Sequence, residues 1–173
     1  MKNPFLKKKI ENYIKKRYNP FDRTGLPELS DFMGSLLEGV VGRKESITEN
    51  KSLRDLLKKK GETFSQCLLR MIDASGRTDV DVYKASHIDK RLFSKIRSDK
   101  NYQPKKETVL AFCIGLRLCM DDAKDLLLRA GYAFSTGSKR DLIVQFFIEQ
   151  KKYDLDAVND ALIEFGEKEL TSF

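Results

Sequence analysis

Apolar residues recur along most of the chain at spacings of three and four, the period of a helix that buries one side. In "NPFLKKKIENYIKKRY" (residues 3–18) Phe5, Ile10, Tyr13 and Ile14 follow this spacing, with Asn3 suited to the N-cap and Pro4 to the first helical position. "LPELSDFMGSLLEGVVG" sets Leu29, Phe32, Met33, Leu36, Leu37 and Val40 on one broad stripe that stops at Gly42. The polar stretch "RKESITENKS" follows, then "SLRDLLKKK", a short helix with a basic end. Beyond it Phe64, Cys67, Leu68, Met71 and Ile72 define a helix ended by Gly76. Thr78 and Asp89 each open a short helix as N-caps, and Pro104 marks the start of one carrying Val109, Leu110, Phe112, Cys113, Leu116 and Leu118. "DDAKDLLLRAG" runs from an aspartate cap to Gly131, and "SKRDLIVQFFIEQKKY" and "DLDAVNDALIEFG" complete the series. No segment alternates as a strand would, and no unit repeats, so the pattern predicts an all-α protein.

The polar stretch at 43–52 divides this series. It predicts a helical N-terminal extension and linker over 1–50, a central domain over 51–135, and an acidic helical pair over 136–173 packing on it. A chain of 173 residues, 40% apolar, can form one core with an appendage. The net charge of +7 is unevenly placed. Residues 1–20 hold seven cations against Glu11, a balance of +6, and residues 84–106 hold eight against Asp89 and Asp99, again +6. Residues 141–173 hold eight carboxylates against three lysines, a balance of −5. Two basic regions and an acidic tail describe a chain with one side suited to a polyanion. The first region, with Lys7, Lys8, Lys9, Lys15, Lys16 and Arg17, suits a phosphate strip, an anionic membrane surface or plain solvation.

Candidate chemistry is sparse. Cys67, Cys113 and Cys119 lie in apolar runs with no Cys-x-x-Cys pair, which predicts buried thiols in a reducing compartment rather than disulfides or a zinc site. His87 is the single histidine and reads as a turn residue. There is no glycine-rich phosphate loop, nucleophile elbow or metal-ligand spacing. Asp121 and Asp122 suit a helix cap and first-turn charge. We therefore expect no catalytic residue, no metal and no cofactor. The basic start lacks the apolar core of a signal peptide, and no apolar run is long enough to span a bilayer, so a cytoplasmic location is expected.

The segment "SHIDKRLFSKIRSDK" (86–100) gives these cations an arrangement. Two short helices joined by a tight turn let the first hold the second through a shared apolar contact, freeing the opposite face for a major groove. Val82, Ile88, Phe93 and Ile96 suit that contact. The order of positions resembles the lambda-repressor/Cro-like helix-turn-helix family. It continues through the polar loop, proline and apolar helix of "SDKNYQPKKETVLAFCIGLRL" and the leucine-rich "MDDAKDLLLRAGY". The stretch from about Thr63 to Tyr132 is most similar to helix-turn-helix-like segments found alone or fused to macrodomains in uncharacterised bacterial proteins. Two positions depart from the family pattern: Tyr83 where a small alanine is usual, and His87 where glycine makes the turn.

The resemblance implies a non-catalytic, DNA-binding transcriptional regulator. Lys90, Arg91, Ser94 and Lys95 would reach base edges or flanking phosphates, since arginine can pair with guanine and lysine acts as a point charge. Arg97, Lys100, Lys105 and Lys106 would meet phosphates, which fix register without reading sequence. The partner would be double-stranded DNA, with a homodimer or a protein partner engaged through the terminal helices. The atypical Tyr83 and His87 favour an alternative, a protein-interaction adaptor that keeps this fold without binding DNA.

Overall fold

The computed structural model describes residues 4–20, 22 and 62–171. Eight helices and no strands occur among the described residues: α1 (Pro4–Arg17), α2 (Phe64–Ser75), α3 (Asp79–Ala85), α4 (Lys90–Ser98), α5 (Lys106–Gly115), α6 (Met120–Arg129), α7 (Lys139–Glu149) and α8 (Leu155–Glu164). The protein is all-α, as its periodicity predicts. The stripe at 26–42, the polar stretch at 43–52 and the short basic helix after it lie outside the described residues.

Local side chains set most helix starts. Thr63 and Thr78 each close a reciprocal capping box, with Gln66 and Asp81 respectively. Asp89, Ser138 and Asp154 cap α4, α7 and α8 by accepting a backbone N–H. Helix α6 differs from expectation: its N-cap is Cys119, which makes no capping bond, while Asp121 and Asp122 fall in the first turn. Their carboxylates still lie at the positive end of the helix dipole.

Five helix ends share one geometry. After α3, α5, α6, α7 and α8 the chain enters the left-handed region at His87, Arg117, Gly131, Lys151 and Gly166. In each case the next N–H reaches back five residues: Ile88 to Tyr83 O, Leu118 to Cys113 O, Tyr132 to Leu127 O, Lys152 to Phe147 O and Glu167 to Leu162 O. These are Schellman motifs, which satisfy carbonyls that the helix leaves open.

Two helices lie at the centre. Every residue of α5 from Thr108 to Gly115 is buried, and α3, α6, α7 and α8 pack around it. Helix α7 is buried over Asp141–Val144 and Phe146–Ile148, and α1, α5, α6 and α8 surround it. Helix α2 packs on α6 and α4, and the rings of Phe64 and Phe93 both lie against Phe112 of α5.

Helix α1 is part of this core. Ile10 and Ile14 are buried, and Tyr13 meets the edge of Phe146 with ring centroids 5.4 Å apart. The chain after α1 is tied to the α6–α7 connection: Asp22 accepts from the N–H and hydroxyl of Thr136 at 2.8 and 2.6 Å, and Ser135 donates to Asp22 O at 2.6 Å. Gly137 has to be glycine there, because a Cβ would sit 2.0 Å from Asp22 O. Met1–Gly25 and Thr63–Phe173 thus form one compact unit, and Leu26–Glu62 constitutes a second. The residues assigned above to an N-terminal extension therefore include a helix belonging to the core of the first unit.

Candidate nucleic-acid interface

The α3–α4 connection is short because its turn is tight. Ser86 is buried against Gly115 of α5, where any side chain would come within 2.0 Å of the serine Oγ. His87 takes φ 49, a conformation that histidine accepts more readily than β-branched residues do. Ile88 is buried, and Asp89 then caps α4 by accepting from Arg91 N at 2.7 Å. Val82, Ile88, Phe93 and Ile96 are all buried in the one apolar core, and Leu92 packs partly buried against it. Tyr83, where the family pattern has a small residue, lies half-buried with its ring 5.6 Å from that of Phe93. The larger residue is accommodated by ring packing.

The outer face of α4 follows from its inner one. With Phe93 and Ile96 buried, a rotation of 100° per residue puts Arg91, Ser94, Lys95 and Ser98 opposite, at spacings of three, four and seven. All four are exposed, as is Lys90 at the first turn. Ser98 was not among the residues singled out from sequence, although its spacing from Arg91 and Ser94 would have included it.

The fold sorts the remaining cations. Arg97 is paired with Asp79 of α3, which bridges the two helices. Lys106 is paired with the buried carboxylate of Asp141 on α7, and Ser135 N donates to the same carboxylate at 2.8 Å. The Lys106 ammonium is therefore part of the core's polar anchoring rather than held out for a phosphate. Lys100 and Lys105 are exposed. Among the described residues, Lys90, Arg91, Lys95, Lys100 and Lys105 form no ion pair with a carboxylate. Lys95 Nζ instead lies 5.6 Å from the ring centre of Tyr102, a neighbour that spacing along the chain does not reveal. The two acids of this region are engaged locally: Asp89 in its cap, and Asp99 accepting from Asn101 N at 2.9 Å.

The acidic C-terminal segment touches the turn. Thr171 donates to Ser86 O at 3.2 Å, and Asp156 lies 3.8 Å from His87 Nε2. These contacts leave Lys90, Arg91, Ser94 and Lys95 exposed.

The thiols divide otherwise than expected. Cys67 and Cys113 are buried, and desolvation drives the Cys113 thiol well above its usual range. Cys119 is exposed, because it marks the point where the chain re-enters a helix at the surface. Its Sγ lies 3.2 Å from Asp122 Oδ2. Among the described residues no helix is long and apolar enough to cross a membrane. Comparison with protein-family models, with curated proteins and with solved structures finds no match to this chain.

Proposed function

We propose that the protein is a cytoplasmic, non-catalytic DNA-binding regulator that lays α4 of a lambda-repressor-like helix-turn-helix into the major groove of a duplex. One observation carries this reading: Arg91, Ser94, Lys95 and Ser98 share the exposed face opposite Phe93 and Ile96, and neither cation has a carboxylate partner among the described residues. Exposed, uncompensated cations on a helix held rigid from behind match what a phosphate-lined groove attracts. In this reading Arg91 would donate two hydrogen bonds to a guanine edge, and Ser94 would make a less selective contact. Lys90, Lys95, Lys100 and Lys105 supply point charges to flanking phosphates.

Fluorescence anisotropy of the full chain on duplex DNA tests the reading. The R91A/K95A variant should bind more weakly at low salt, with the slope of log affinity against log salt reduced by about 2. Unchanged affinity in that variant rejects this contact face.

A second reading, a protein-interaction adaptor, draws on α3. In helix-turn-helix docking the first helix crosses the phosphate backbone, yet the first turn of α3 carries Asp79 and Asp81. Hydrogen bonds from Thr78 hold the Asp81 carboxyl below the usual aspartate range, so it stays charged. A stoichiometric protein partner, with duplex binding absent at low salt, would favour the adaptor.

A further inference from the structure

Helix α1 carries six cations among its described residues, Lys7, Lys8, Lys9, Lys15, Lys16 and Arg17, and the fold treats them in two ways. Lys7 is paired with Glu164 of α8. Arg17 is paired with Glu149 of α7 at 2.6 Å and also donates to the hydroxyl of Tyr13. These two flank the buried side formed by Ile10 and Ile14. The other four lie opposite. At 100° per residue, Lys8, Lys9, Lys15 and Lys16 fall within about a third of the helix circumference, centred on Asn12. All four lysines are exposed, and among the described residues none forms an ion pair with a carboxylate, although Glu11 sits at the edge of the face.

From this division we infer that the outer face of α1 is a second polyanion contact, one that grips the phosphodiester backbone of nucleic acid. The four ammonium groups form two rows, Lys8 with Lys15 and Lys9 with Lys16. Each row spans seven residues, about 10 Å along the axis, on a helix whose inner face is packed into the core. Flexible point charges on a rigid strip suit a regularly charged backbone and carry no base information. An anionic membrane is the poorer fit. A helix that lies in a bilayer surface needs its apolar face free, and α1 has buried that face against α7. The one large apolar side chain on the outer face, Phe5, lies under the Lys9 ammonium, 4.6 Å from its ring centre.

The test uses the full chain in the R91A/K95A background, so that the two cations on the outer face of α4 are already removed. The added substitutions K8Q/K9Q/K15Q/K16Q remove the charge while keeping a polar side chain of similar helix propensity. Binding to a duplex of arbitrary sequence should fall roughly tenfold or more, uniformly across sequences, with the salt slope reduced by about 3 to 4. The half-variants K8Q/K15Q and K9Q/K16Q should each remove about half of that change, while thermal unfolding stays where it was. An unchanged slope in the quadruple variant overturns the inference. So does loss of binding to phosphatidylserine-containing vesicles with duplex binding intact, which would assign the strip to a lipid surface.

Discussion

At the scale of single residues, the five Schellman ends separate necessity from tolerance. Gly131 and Gly166 occupy their left-handed positions freely, whereas His87, Arg117 and Lys151 hold the same region at φ 49, 57 and 52 with a Cβ present. That conformation costs a non-glycine residue about 1–2 kcal/mol, partly offset by the entropy that glycine loses on folding. Arg117 is exposed, so Arg117→Gly should stabilise the protein by about 0.5–1 kcal/mol. Urea unfolding checks this, and a lowered midpoint would mean that the arginine side chain contributes more than its strain costs. Gly115 is the opposite case. Its φ is unremarkable, but the 2.0 Å separation between a built Cβ and Ser86 Oγ makes it indispensable to the α3–α5 approach.

At the scale of elements, α1 is held at both flanks by charge. The hydrogen bond from Lys7 lowers the Glu164 carboxyl below its ordinary 4.5, and the same contact raises Lys7 above its ordinary 10.5. A lowered carboxylate contributes stability above its unfolded value, and that contribution fades as pH falls through the lowered folded value. A raised lysine contributes fully below its unfolded value, and loses it as pH rises through the raised one. The pair therefore acts across the neutral range and fails at both extremes. The gap in unfolding midpoint between the native chain and E164Q should be present at pH 7 and close as pH falls below 4.5. A gap unchanged through the acid range would mean that Glu164 acts by packing instead of charge. Both side chains are substantially solvated, so the gap will be small.

At the scale of the whole molecule, the decisive feature is that α1 shares a core with helices far along the sequence. Ile10 has no exposed surface, and Tyr13 packs on Phe146. Ile10→Ala should accordingly cost about 2–4 kcal/mol in chemical denaturation, with the unit still unfolding in one transition. A cost near zero would describe a loosely attached helix. The same arrangement bears on function, because it turns α1 from an appendage into a rigid support for its outer lysines.

Much of the fold was legible from local physics. Helical periodicity, the threonine and aspartate caps, and the glycine at position 131 act within one or two turns, so the sequence determined where helices form and that no strand competes with them. It also determined the inner face of α4, because the spacing of Phe93 and Ile96 leaves a single apolar stripe. The availability of each cation was decided by tertiary structure alone. Lys106 meets a carboxylate 35 positions away, Arg17 one at 132 and Lys7 one at 157, and no spacing rule reaches that far. Exposure of Cys119 had the same origin, since an apolar neighbourhood in sequence does not say on which side of a helix entry a residue will face. Charge is a property of residues, but whether it is neutralised depends on what the packed chain brings within a few ångströms.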